Sequence, residues 1–315
     1  LELLRGVLIN PRFDRLEFIR ERKNLVEKLG SRASSPQGMA EDRLLQLLYG
    51  DHPYAIPRYG MAGSLKKLRL PALRDFYFHT CLRAEAVVCG MAGDFNSRTI
   101  RSVEALLAAV PWTTAAVPPK VAPPVFPTVP VREQLVNHRS QTVVMAAVPA
   151  CDNLSPDRYM IDILQSAMNG QGSRLFRKIR EEAGLAYYTG MFSSRGFHPG
   201  YISIFAGTSR EGAAETAKLI EEERQRLAQT GLDPDEFEAA IAALSHAHAE
   251  QLENSGSLLM QSCLSEYYGN GVMEPFRQQE IFDRITRTEA NAVIRRYLSH
   301  PNQVCLVCRP ENAPE

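Results

Sequence analysis

At 315 residues the chain is long for one domain and comfortable for two, and 44% apolar with 23% charged residues is an ordinary globular mix. Lys plus Arg equals Asp plus Glu at 36 each, so composition argues neither for nucleic acid nor for an anionic membrane as partner. No run approaches roughly eighteen uninterrupted apolar residues, which excludes a predicted membrane-spanning helix.

Taken in order, LELLRGVLINPRF opens as an apolar helix fragment stopped at Pro11, with Leu1 reading as helix interior, so the natural N-terminus is expected elsewhere. Asp14 caps a helix to about Leu29, with Leu16, Ile19, Leu25 and Val26 expected as its buried stripe. Gln37–Tyr49 is a third helix, and GDHPYAIPRYG after it a loop. Pro71 begins another helix. A buried strand is expected over Ala84–Ala92 and a helix over Ser97–Val110. Residues 111–134 hold seven prolines, and since proline fixes φ and lacks an amide donor, this reads as a semi-rigid connector and not a strand of a central sheet. The predicted division is 1–118 for a first domain, 119–135 for the linker and 136–315 for a second domain.

The second half restarts with a strand at Gln141–Ala150, and Ser155-Pro156 then open a helix to Met168. The run Asn169–Ser209 follows: a turn with Asn169, Gly170 and Gly172, a helix over Ser173–Glu182 stopped by Gly184, and strands over Leu185–Ser193 and Gly200–Thr208. Arg180 and Tyr187 are seven apart, but Gly184 ends the helix between them, so Tyr187 falls at the start of a strand. The chain reverses there, which lets a guanidinium and a phenol face one cleft; Tyr188 should face the other way. Helices are expected over Arg210–Thr230, from Asp233 to about Gly256, and over Ser257–Tyr268. Thr286 and Glu289 form a capping box for a helix ending near Leu298, and Gln303–Arg309 is a last strand. With no strict strand–helix alternation, the fold class is α+β, helices packed on one face of a mainly antiparallel sheet.

The six cysteines are scattered, and Cys305 and Cys308 sit in a predicted strand where residues three apart point to opposite faces, so neither metal nor redox chemistry is expected of them. The compartment stays open between a bacterial cytoplasm and periplasm. Among the seven histidines no H-x-x-E-H or H-x-x-x-H occurs; His246 and His248 diverge on their helix and read as partly exposed.

GQGSRLFRKIREEAGLAYY closely resembles the signature of the second domain of the M16 peptidase family (pitrilysin, insulinase, mitochondrial processing peptidase). Ser173-Arg174-Leu175-Phe176, Arg180-Glu181 and Gly184-Leu185-Ala186-Tyr187 match it, with Ile179 where the pattern has Leu. INPRF, YGDHPY and AVVCGMAGDF look like the family's first domain, and LDPDEFEAA and ITRTEANAVIRRYL like its second, so the resemblance covers nearly the whole chain. It implies two related domains of LuxS/MPP-like metallohydrolase type, the first incomplete upstream of Leu1, where the family carries its zinc motif H-x-x-E-H. The family's third zinc ligand, a Glu, aligns with Lys28, an ammonium that cannot ligate while protonated; a register shift of one would restore Glu27.

The resemblance implies no metal in this chain and zinc on a partner. Arg180 and Tyr187 would assist peptide hydrolysis there as hydrogen-bond donors, with Gly170, Gly172, Ser173 and Arg174 near the substrate. The partner is expected to be a zinc-bearing M16 subunit in a heterodimer, or a second copy in a homodimer. Two other readings stand beside this: a structural or peptide-holding homologue without catalysis, and part of a longer zinc peptidase with its zinc motif upstream. An exposed strand edge of the second domain could also add a peptide strand.

Overall fold

The computed structural model describes residues 1–114 and 120–311. Helices α1 (Glu2–Ile9), α2 (Arg15–Ala33), α3 (Pro36–Tyr49), α4 (Ala62–Lys67), α5 (Leu70–Phe76) and α6 (Ser97–Ala108) come first. Strands β1 (Val131–Asn137) and β2 (Thr142–Pro149) follow, then α7 (Asp157–Met168), β3 (Ala186–Ser194) and β4 (Tyr201–Thr208). The chain ends with α8 (Ala213–Thr230), α9 (Pro234–Glu253), α10 (Ser255–Tyr268), α11 (Glu274–Arg284), α12 (Arg287–Leu298) and β5 (Val304–Pro310). Short turns of 3-10 or π geometry include the π-helix Phe176–Glu182. The α+β expectation of a mainly antiparallel sheet holds: β1-β5-β2-β4-β3 form one sheet, antiparallel except for the β1–β5 pair, but the helices are not confined to one face as expected, because α3 covers the other.

Contacts divide the chain into two units: Leu1–Gly30 with Tyr59–Val121 and Gln251–Pro275, and Ser31–Arg58 with Ala122–Glu250 and Phe276–Glu315. The predicted border at residues 118 and 119 falls outside the described residues.

The second unit contains the whole sheet. One face carries Val144, Ala146, Ile202, Ile204 and Ala206 under α7, α8 and α12. The other carries Val143, Met145, Val304 and Leu306 under α3. Both faces of β2 are therefore buried, which is why TVVMAAVP is a continuous apolar run and not an alternating one. Helix α3 belongs here because Ala40, Leu44 and Leu48, all fully buried, need a sheet face to cover. Its Arg43 holds Glu133 of β1 through two bonds of 2.6 and 2.8 Å.

The proline-rich stretch reaches only to the strand border. Residues 131–134, expected as connector, are the start of β1, an edge strand beyond the last proline. An edge position tolerates nearby proline because only one side of the strand must bond. Cys305 and Cys308 point to opposite faces, as a strand requires: Cys308 joins the α3-face core while Cys305 points to the α8 side, and burial raises both thiol pKa values.

In the first unit, Asp14 Oδ1 accepts from the amides of Leu16 and Glu17, capping α2 as predicted, and α2 continues past Leu29 to Ala33. The stripe expected to be buried is not: Leu16 and Ile19 are exposed, and Leu29 is the buried residue. The strand expected over Ala84–Ala92 does not form. A 3-10 turn occupies Ala84–Ala86, and the backbone beyond it has no strand partner among the described residues. It lies on α10, so closely that a Cβ on Gly90 would come within 2.4 Å of Cys263 Sγ. An apolar run becomes a strand only where another strand satisfies its amides and carbonyls. Only Leu29, Leu82, Val103, Leu106 and Val110 are buried apolar residues of this unit among those described.

Candidate functional site

The run from Asn169 to Tyr187 is built by four local events. Asn169 ends α7 with extended backbone, and Gly170 follows at φ +88°, a conformation that side chains resist. Ser173 Oγ then accepts from the Phe176 amide at 3.2 Å, opening the next helix. That helix is π-type over Phe176–Glu182, where a regular helix was expected, and ends with Ala183 N–H bonding Lys178 C=O five residues back. Gly184, at φ +65°, turns the chain, and Leu185 N–H donates to Ile179 C=O at 3.0 Å. That bond folds the start of β3 back along the helix carrying Arg180.

Tyr187 sits at a β-bulge. Ala186 faces Thr208 and Tyr188 faces Gly207, so two residues of β3 oppose one step of β4 and Tyr187 is the extra one. Its side chain is 61% exposed. Tyr188 turns to the α3 face, where its ring fills the space a side chain on Gly207 would need and lies near Phe205. Arg180 is also exposed. Its guanidinium stands 4.8 Å from the Phe176 ring centroid and makes no ion pair among the described residues. The neighbouring carboxylate is occupied elsewhere: Glu182 binds Lys178 at 2.6 Å, which lowers its pKa, and Arg177 at 3.8 Å.

The other four predicted site residues divide into two pairs. Gly170 and Gly172 are exposed in the turn with open space around them. Ser173 and Arg174 are buried, at 6% and 4% exposure. The Arg174 guanidinium clasps Glu236 at the start of α9 through Nε at 2.7 Å and through Nη2, and Glu223 of α8 lies 4.0 Å away. Arg174 thus fastens the turn to two helices instead of facing outward. Burial is the largest influence on Glu223 and raises its pKa against the pull of Arg174. Glu236 was missed as its partner, because a contact 62 residues away leaves no mark in local sequence.

Asn169 was read as a turn residue only. Its side chain pairs with β3: Oδ1 accepts from Met191 N–H at 3.0 Å, and Nδ2 donates to Met191 C=O at 2.8 Å.

At the position where the family's ligand Glu aligns, Lys28 Nζ lies 4.2 Å from the Tyr59 ring centroid, and Glu27 is an exposed residue 3.8 Å from Lys23. Among the described residues no group of three or more His, Cys, Asp or Glu could hold a metal ion. His246 is exposed beside Glu250, as expected. His248 is not: it is 5% exposed, because it points into the packed side of α9, and neither ring nitrogen has a partner.

The family model described as "Peptidase M16 inactive domain" matches residues 67–244. This chain belongs to the M16 peptidase family. Relatives of the M16 chain include uncharacterized zinc proteases of Streptomyces coelicolor and Bacillus subtilis, each 24% identical. The alignments cover 78% and 87% of the chain, which spans 55% and 64% of those relatives. A Mycobacterium bovis zinc protease is 26% identical over 95% of the chain and 69% of its own length. The fold matches a Pseudomonas fluorescens M16 inactive-domain structure with TM-score 0.88 at 22% identity, over 100% of this chain and 75% of that one. It also matches a chain of Candida albicans complex III2 with TM-score 0.78 at 15% identity, over 92% and 70%. Among the described residues no helix is long and apolar enough to cross a membrane.

Proposed function

We propose that this M16 chain is a non-zinc subunit that helps a zinc-bearing partner bind and hydrolyse peptides, with Arg180 and Tyr187 as its donors. The observation carrying this reading is that both side chains are exposed, sit on neighbouring π-helix and bulge, and leave their donors unengaged by internal ion pairs. Peptide hydrolysis at zinc accumulates negative charge on the carbonyl oxygen, and the metal polarises that group. A phenol and a permanently charged guanidinium can donate to that oxygen or to neighbouring peptide carbonyls. The zinc, the attacking water and the general base would come from the partner. The glycine turn 170–172 would border the peptide.

The test assembles the chain with the zinc-bearing subunit and follows a quenched peptide. Arg180→Ala and Tyr187→Phe are each expected to lower kcat by about 10²-fold, the scale of one lost oxyanion donor. Wild-type rates in both variants would refute the assisting role.

The names of the Streptomyces and Bacillus relatives favour a second reading. There the same two side chains act, but the zinc sits on another segment of one longer polypeptide. Zinc bound stoichiometrically by the full-length product, without a second subunit, would select it. An unaltered kcat in both variants would instead favour a structural or peptide-holding homologue, a reading to which the fold match with a complex III2 chain adds weight.

A further inference from the structure

Strand β3 is one edge of the sheet, so every second residue should present an unpaired amide and carbonyl to its open side. Met191 marks that set, because its N–H and C=O bond to Asn169 and not to β4. With a period of two, Thr189 and Ser193 are the flanking members. The Ser193 amide is also taken: it donates to Gln165 Oε1 at 2.7 Å, and the Ser193 hydroxyl donates to the same atom at 2.9 Å. Thr189, one residue past Tyr188 and two past the bulge, has no such partner for its amide among the described residues; its hydroxyl donates to Phe205 C=O of β4 at 2.9 Å.

The Asn169 carboxamide suits this place. A primary amide carries an acceptor and a donor side by side, as one extended residue does. Its second amide hydrogen donates to Gln165 C=O at 2.8 Å, so the group is fully used. Gly190 makes room for it, since a Cβ there would stand 2.6 Å from Asn169 Oδ1.

We propose that Asn169 is a positioning residue whose carboxamide stands in for one residue of a sixth strand at Met191. It thereby confines main-chain pairing by a bound peptide to Thr189, beside Tyr187. The sealing of the edge stands on geometry alone; its use in positioning a peptide rests on the reading that peptide reaches Arg180 and Tyr187.

Residue-resolved hydrogen exchange on chain 1–315 tests the seal. Asn169→Ala should speed exchange at the Met191 amide at least tenfold and leave Thr189 unchanged, and Gly190→Ala, which displaces the carboxamide sterically, should do the same. Unchanged Met191 exchange in both variants overturns the proposal. Cleavage of a quenched peptide by the zinc-loaded assembly tests the positioning. Pairing that slips from Thr189 to Met191 moves the peptide by two residues, so Asn169→Ala should raise KM more than it lowers kcat and add a cut displaced by two residues. A seal that opens with unchanged KM and an unchanged cut site refutes positioning. Neutral Arg180→Ala and Tyr187→Phe variants would refute the reading above and leave the exchange result standing.

Discussion

Two arginines six positions apart have opposite fates. Arg174 is buried and bound to Glu236, whereas Arg180 is exposed, stands over the Phe176 ring and makes no ion pair among the described residues. Removing one partner of a buried charge pair strands the other charge, which costs about 3 kcal/mol or more. Arg174→Ala should therefore lower the urea midpoint by that equivalent at unchanged slope, while Arg180→Ala stays within about 0.5 kcal/mol of wild type, as surface changes usually do. A stable Arg174→Ala protein would contradict the fastening role. Both arginines were candidates from the signature, and only burial separates them.

Single elements show where local sequence is sufficient. The capping box at α12 is present in full: Thr286 Oγ1 accepts from the Glu289 amide and Glu289 accepts from the Thr286 amide. Thr286→Ala should cost about 1 kcal/mol, read from thermal or urea unfolding. The α3–β1 link is a tertiary counterpart. The hydrogen bond from Arg43 holds the Glu133 carboxyl below its ordinary pKa. A lowered folded-state pKa means that this stabilisation is present above the ordinary carboxylate value and lost as pH falls through the lowered one. The pair is partly solvated, with 38% and 28% of its side chains exposed, so its contribution is about 0.5–1 kcal/mol. Unfolding curves of wild type and Glu133→Gln should differ by that amount at neutral pH and converge below the carboxylate range. A constant gap down to acid would assign the effect to packing.

At the scale of the molecule the two units differ in how much apolar surface they bury. The first has five buried apolar residues among those described, while the second packs both faces of its sheet. Local opening follows buried apolar contact, so amides of α2, α5 and α6 should exchange faster than those of β2, β4 and α7. Equal protection in both units would contradict this. With no metal-holding group among the described residues, excess EDTA should leave the melting temperature of chain 1–315 unchanged.

Sequence alone determined the helices with clear caps, the strands β2, β3, β4 and β5, the α+β class and the signature holding Arg180 and Tyr187. These depend on neighbours within a few residues, where propensity, capping and glycine φ act. The tertiary structure decided that Ala84–Ala92 is no strand, that α3 covers the sheet, that Arg174 and His248 are buried, and that Asn169 closes an edge. Each of those depends on what lies alongside a segment in space, and pairing or burial between residues far apart in the chain has no local period to read.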